Sequence, residues 1–209
     1  MDIELRNLKP RYMSESEVAG SDIYLQPSVR FKQGCRYMVC ARSGHGKTSL
    51  LNFLFGASQQ YDGEVLYHGW EGCDTFGLRL RHMSYMQQDL GLFPELTVLE
   101  NVVIKNNLTH FKSDAEIEKM LLQVLPEEKL HQPLSTLSLG QRQRVAAVRA
   151  MCQPFCFLLL DEPFSHLDCQ TAQSVANMMA AEATRQGAAI ILTALDPVEM
   201  MSFDKEFQL

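Results

Sequence analysis

The sequence predicts an α/β fold with a mostly parallel central sheet and helices on both faces. Three observations carry that reading. Short strand-like runs alternate with longer segments of helical periodicity, the order a parallel sheet requires. The run FCFLLL, Phe155–Leu160, is apolar throughout, as a strand buried on both faces must be. The run Arg36–Ala41 passes directly into a glycine-rich turn and then into a helical pattern starting at Lys47. A chain of 209 residues, 46% hydrophobic and 21% charged, has enough apolar material for one sizeable core with at most a smaller appended subdomain.

In order along the chain, IELRNL (Ile3–Leu8) alternates and reads as a strand. Ile23–Phe31 alternates as well, with Pro27 placing it at an edge or a bulge. The small polar residues Ser14–Ser21 between them read as a loop. Asp62-Gly63 reads as a turn, followed by the strands Glu64–His68 and His82–Gln87. Thr97-Val98-Leu99-Glu100 and Ser113-Asp114-Ala115-Glu116 both fit a capping box, so each opens a helix. A third helix is expected from Leu139 to Met151, another near Cys169–Gln186, and a last core strand at Ala188–Thr193. The helical stretch 89–152 then lies as an insertion between core strands, with 1–88 and 153–209 forming the core.

The net charge of −6 gives no general attraction to nucleic acid, and none is expected as a partner. No run approaches the roughly 18–20 apolar residues of a membrane-spanning helix, and the N-terminus lacks the plan of a secretion signal. A cytoplasmic chain is expected, with any membrane role arising through a partner. The six cysteines lack paired metal-ligand spacing and read as buried thiols of a reducing compartment. The six histidines are equally dispersed.

The chemistry is concentrated in ordered motifs. Ala41-Arg42-Ser43-Gly44-His45-Gly46-Lys47-Thr48-Ser49 follows a strand and opens a helix, the setting of a phosphate loop. Gly44 and Gly46 let backbone N–H groups curl around phosphate oxygens, Lys47 reaches the β- and γ-phosphates, and the Thr48 hydroxyl ligates Mg²⁺. Ala41 stands where the G-x4-G-K-[ST] pattern has glycine. At the end of the apolar strand, Asp161 is placed to hold Mg²⁺ and Glu162 to polarise the attacking water.

Between these motifs, Leu137-Ser138-Leu139-Gly140-Gln141 resembles the L-S-G-G-Q signature of ATP-binding cassette (ABC) ATPases, with Leu139 in place of the first glycine. YMQQDLGLFPELTVLENV resembles the family's Q-loop segment, and DEPFSHLD (Asp161–Asp168) its second acidic motif and D-loop. The resemblance covers nearly the whole chain. It implies a phosphate-loop NTPase core, an N-terminal antiparallel β subdomain and an inserted α-helical subdomain. It also implies ATP and Mg²⁺ as ligands, with Gln88 at the metal and in catalysis beside Lys47 and Glu162. Tyr12 is implied to stack on adenine, with Tyr24 a weaker rival. Ser43, His45, Ser49, Ser138, Gly140, Gln141 and Asp168 complete the nucleotide contacts. In the family two such domains pair head to tail, one domain's signature closing the other's phosphate loop, and a transmembrane permease binds the groove around Gln88. The arginines of the signature helix, Arg142, Arg144 and Arg149, read as a solvated face.

One departure bears on mechanism. The family carries a switch histidine just before an aspartate after the last core strand; ILTALDPVEM aligns through Asp196 and places Leu195 there. No histidine follows His166, so only His45 or His166 could substitute. The expected function is the ATP-hydrolysing motor of an ABC transporter, at the inner face of the membrane through its permease, with little room for a regulatory domain after the last core strand. The alternative is a regulatory or scaffolding module with slow or no turnover, which Leu195 and Leu139 favour and Glu162 opposes. An ABC protein of the DNA-repair type is a poor fit, because only short helices separate the two nucleotide motifs.

Overall fold

Two sheets divide the strands. The computed structural model of the chain describes residues 1–70 and 72–209. Near the N-terminus, β1 (Asp2–Pro10) lies between β2 (Val29–Lys32) and β4 (Tyr61–His68), antiparallel to both. Five parallel strands make the second sheet: β5 (Met83–Met86), β6 (Phe157–Asp161), β7 (Ala189–Ala194), β3 (Arg36–Cys40) and β8 (Lys205–Gln208), in that spatial order.

The period of two along the central strands sends alternate residues to two cores. Met38, Leu158, Leu160, Ile190 and Leu192 meet α5 (Leu139–Ala150) and α6 (Cys169–Gln186) on one face. Tyr37, Val39, Phe157, Leu159 and Ile191 meet α1 (Lys47–Leu54), α2 (Thr75–Arg81) and the antiparallel sheet on the other. Two further helices, α3 (Val98–Asn106) and α4 (Asp114–Leu122), lie with α5 between β5 and β6 in the chain. Thr97 and Ser113 each close the reciprocal capping box that the sequence predicts.

The structure corrects several expectations. Ile23–Ser28 is not strand: the Ser21 hydroxyl accepts from the amides of Ile23 and Tyr24 and holds a turn, and Leu25 is left-handed at φ 59°. Its alternation reflects two buried loop residues, Ile23 and Tyr24, instead of a pleat. Asp62-Gly63 is not a turn either; it lies inside β4, opposite a register shift of β1 between Arg6 and Lys9. Ala189–Ala194 is not the last core strand, because β8 follows at the sheet edge. Among the cysteines, all free, only Cys40 and Cys152 are buried, while Cys73 and Cys169 are exposed.

Candidate functional site

The site begins where β3 ends. Its chain turns through residues 41–46 and enters α1 at Gly46, which sits at φ 85° and lends the helix no side-chain cap. The amides of the first turn are therefore left for an external acceptor, and the positive end of the helix faces the same way. A side chain at position 46 would strike the Tyr24 ring, whose hydroxyl donates to the Gly46 carbonyl at 2.8 Å. Tyr24 thus buttresses the loop from beneath and, only 1% exposed, presents no face to a base. Tyr12 is 58% exposed, lines the cleft above the loop, and shares a hydrogen bond with the Ser49 hydroxyl.

Lys47 is buried and donates to the Ala41 carbonyl at 2.7 Å and the Arg42 carbonyl at 3.2 Å. Its ammonium also stands 3.3 Å from Glu162 Oε1. Alanine at position 41 therefore leaves intact the carbonyl that steers the lysine. Next to it, Thr48 Oγ1 donates to Asp161 Oδ2 at 2.7 Å, and Thr193 Oγ1 donates to Asp161 Oδ1 at 2.7 Å. Both carboxylate oxygens of Asp161 are thereby oriented from two different elements, α1 and β7. Glu162 follows in the left-handed region at φ 49°, its amide donating to Thr193 O at 3.1 Å. That turn carries its carboxylate off the strand axis toward Lys47. Gln88 comes from the loop after β5 and lines the cleft with Ser43, Gly44, Thr48 and Glu162. His45 is exposed, with Nδ1 3.1 Å from Ser43 O, and is not among the residues lining the cleft.

The second motif stands apart. Ser138 caps α5, its hydroxyl accepting from the Gln141 amide at 3.3 Å while Gln141 Oε1 accepts from the Ser138 amide at 2.9 Å. A Cβ on Gly140 would come within 2.7 Å of the His166 carbonyl, so glycine here lets α5 seat against the loop 162–168. Asp168 caps α6 through Thr171, whose amide and hydroxyl hold its carboxyl below the ordinary range. None of Ser138, Gly140, Gln141 and Asp168 lines the phosphate-loop cleft.

The family model described as "ABC transporter" matches residues 25–165. The chain belongs to the ABC transporter family of ATP-binding domains. It is similar to the lipoprotein-releasing system ATP-binding protein LolD of Neorickettsia sennetsu, at 34% identity over 90% of this chain and 84% of that protein. It also resembles the molybdate/tungstate import ATP-binding protein WtpC of Pyrococcus abyssi, at 34% identity over 69% of this chain, spanning 42% of WtpC. Among solved structures, the dimeric bacterial ABC transporter cassette MJ0796 has the same fold, with a TM-score of 0.76, 24% identity, and coverage of 93% of this chain and 88% of that one. The same cassette has been described as a dimer in a post-hydrolysis state bound to ADP and Pi, at a TM-score of 0.74.

Within this ABC domain, Leu195, the residue that the sequence reading aligns with the family's switch histidine, opens onto a largely apolar cleft. Its side chain, 49% exposed, lines the cleft with Pro163, Phe164, Leu192, Val198 and Met200, and Glu162, Ser165, Thr193 and Asp196 line it too. His166 is not among the residues lining that cleft; its ring pairs with the Ser165 hydroxyl at 2.9 Å.

Two sets of residues differ from the sequence reading. The arginines of α5 are not a solvated face: Arg144 donates to the Val124 carbonyl at 2.6 Å, Arg149 donates to the Gly91 carbonyl, and the Nε atoms of Arg142 and Arg149 are buried. Gln143, which sequence reasoning passed over, is 2% exposed. Its Nε2 donates to the Glu162 carbonyl at 3.1 Å, and its Oε1 accepts from the His166 amide at 3.1 Å. The available signal was its spacing, four residues before Ala147 and seven before Ala150 on the inward face of α5.

Proposed function

We propose that this domain is the ATP-hydrolysing subunit of a transporter, pairing head to tail with a second ABC subunit on ATP and driving a membrane permease. The observation that carries the reading is the convergence of Lys47, Thr48 and Glu162 on one cleft floored by an uncapped helix end, with Asp161 buried against Thr48 behind it. The residues fit the ligands. Thr48 Oγ1 and Asp161 Oδ2 form a hard oxygen pair suited to Mg²⁺, and Gln88 lines the same cleft. Mg²⁺ held there would neutralise charge on the β- and γ-phosphates.

The chain's own residues supply the rest. Lys47 exchanges the Arg42 carbonyl and Glu162 for phosphate oxygens, its contact with Ala41 keeping the ammonium aimed. That exchange frees the Glu162 carboxylate to accept a proton from the attacking water. The α1 amides hold the phosphates through backbone dipoles already oriented for them. Ser138 and the start of α5 would contribute from one subunit to the other's cleft, since they do not line their own. Pairing by this route is supported by the similar cassette MJ0796, a dimer in its post-hydrolysis state with ADP and Pi.

Glu162→Gln is the test. It retains size and removes the base, so turnover should fall about 10²–10⁴-fold and the ATP-bound pair should accumulate. Light scattering after size exclusion with Mg-ATP reads the pair directly. A variant that stays monomeric overturns pairing of identical chains; a variant that hydrolyses at the parental rate overturns the catalytic assignment. A second reading, a regulatory module with slow turnover, draws on the apolar cleft at Leu195. Glu162 poised on Lys47 weighs against complete inactivity.

A further inference from the structure

The thiol of Cys156 sits at the end of the parallel sheet away from the phosphate loop. It immediately precedes β6, and the five residues of that strand put it roughly 15 Å from Asp161. Two soft donors converge on its sulfur: His82 Nδ1 and Met1 Sδ each stand 3.6 Å from Cys156 Sγ. Among the described residues no three side chains drawn from His, Cys, Asp and Glu gather as metal ligands, so the thioether is what makes a third donor here. The three come from separate elements with fixed backbones. The Cys156 amide donates to the His82 carbonyl at 2.7 Å, which ties together the entries to β6 and β5. Met1 precedes β1, and its carbonyl accepts from the Gln33 amide at 2.9 Å. A Cβ on Gly69 would come within 3.2 Å of Met1 Cγ, so glycine there leaves room for the thioether arm.

Sulfur and nitrogen ligands about 2.0–2.3 Å from one ion, at tetrahedral to trigonal angles, lie about 3.5–4.0 Å apart. Both 3.6 Å separations fall in that range. Burial lowers the proton affinity of His82, leaving a neutral imidazole, and raises that of the Cys156 thiol, which keeps its proton until a thiophilic ion displaces it. The donor set identifies the ion. Thiolate and thioether together select soft Cu(I) over Mg²⁺ or Ca²⁺. One thiolate also cancels a single positive charge, whereas a divalent ion would leave net charge in a half-buried site. We propose that Cys156, His82 and Met1 form a Cu(I) site, separate from the nucleotide cleft and independent of the transport reading. On binding, the S–H bond breaks, its proton leaves to solvent and an S–Cu bond forms, with copper remaining Cu(I). Met1, 48% exposed, gives the ion its way in. The spacing of the cysteines could not reveal this site, because its donors lie at positions 1, 82 and 156.

Anaerobic titration with Cu(I) tests it on the full chain carrying Cys73→Ser and Cys169→Ser, which removes the two exposed thiols. One equivalent should bind in competition with a chromophoric Cu(I) chelator. The ring of Trp70, the chain's one tryptophan, lies 5.7 Å from the His82 ring, so its fluorescence should change as the site fills. X-ray absorption at the copper edge should show two sulfur neighbours and one nitrogen. Loss of an outer partner of a metal ligand already costs about 10–100-fold in affinity, so Cys156→Ser should weaken binding by more than about a hundredfold and His82→Gln by about tenfold or more. Circular dichroism checks that both variants fold. Zn²⁺ should bind more weakly than Cu(I). Absence of a tight equivalent, binding that neither substitution weakens, a single sulfur around the copper, or Zn²⁺ held as tightly as Cu(I) would each overturn the proposal.

Discussion

Glu162 stands between two clefts of opposite character. Toward the phosphate loop every neighbour is polar and mutually oriented: Lys47 faces it at 3.3 Å, and Thr48 and Thr193 fix Asp161 beside it. Toward the end of β7 the lining is mostly apolar, with Leu195, Pro163, Phe164, Val198 and Met200 beside the polar Ser165, Thr193 and Asp196, and no histidine is among them. The difference separates two tasks that ABC domains usually perform together. On the proposed reading, the side that would grip ATP is complete, whereas the side that would position the reacting water lacks the histidine that the sequence alignment replaces with Leu195. Ordinary ATP affinity with slow turnover of the isolated domain is the expected combination.

The largest effect on ATP binding should follow from damage to the polar side. Lys47→Ala removes the only side-chain cation among the residues lining the phosphate-loop cleft. Charge-assisted hydrogen bonds contribute about 1.5–3 kcal/mol, so ATP should bind roughly tenfold to a hundredfold more weakly. Calorimetric titration of ATP into the variant is the measurement. Unchanged affinity would show that the polar cleft does not grip phosphate, and the contrast between the two sides would dissolve.

Repair of the altered side should give a smaller change of opposite sign. Leu195→His places an imidazole in the cleft that Glu162 also lines, with room supplied by its opening to solvent. A positioned acid–base group typically adds about 10²–10⁴-fold, and a grafted one with imperfect orientation should reach about tenfold. Steady-state phosphate release at saturating ATP reads the gain, with the ATP dissociation constant expected to stay fixed. No gain in rate would mean that the missing histidine does not limit turnover.

Much of this was legible in the sequence because the deciding signals are local. A phosphate loop needs its glycines, lysine and hydroxyl within one strand–turn–helix, and both capping boxes declare themselves over four residues. The features that escaped depend on partners distant in the chain. Strand β8 buries only Phe207 of its four residues, so KEFQ carries no apolar pattern, and its pairing with β3 supplies the reason it exists. Helix α2 is brief and buries only Leu78. The α5 arginines look solvated by composition, and only the fold brings the carbonyls of Gly91 and Val124 to them. The resemblance ranks Tyr12 above Tyr24, but only the fold, with a turn held by Ser21, shows Tyr24 to be buried and Tyr12 exposed.

The smallest expected effect lies at Gln143, which joins the signature helix to the turn that aims Glu162. Its amide donates to the Glu162 carbonyl and accepts from the His166 amide, so one side chain ties α5 to both ends of the loop 162–166. Gln143→Glu separates the two halves of that tie. A glutamate still accepts from the His166 amide, but it sets a second oxygen against the Glu162 carbonyl where an N–H had been. Loss of one such hydrogen bond costs about 0.5–1.5 kcal/mol, so the maximal rate should fall roughly twofold to tenfold. ATP affinity should hold, because Gln143 does not line the phosphate-loop cleft. Gln143→Leu loses both contacts and should fall further in rate, again without a change in affinity. A drop in affinity equal to the drop in rate, or a lowered melting temperature that accounts for both, would make Gln143 a packing residue. A fall in rate alone, larger in Leu than in Glu, would make it the group through which the signature helix positions the base.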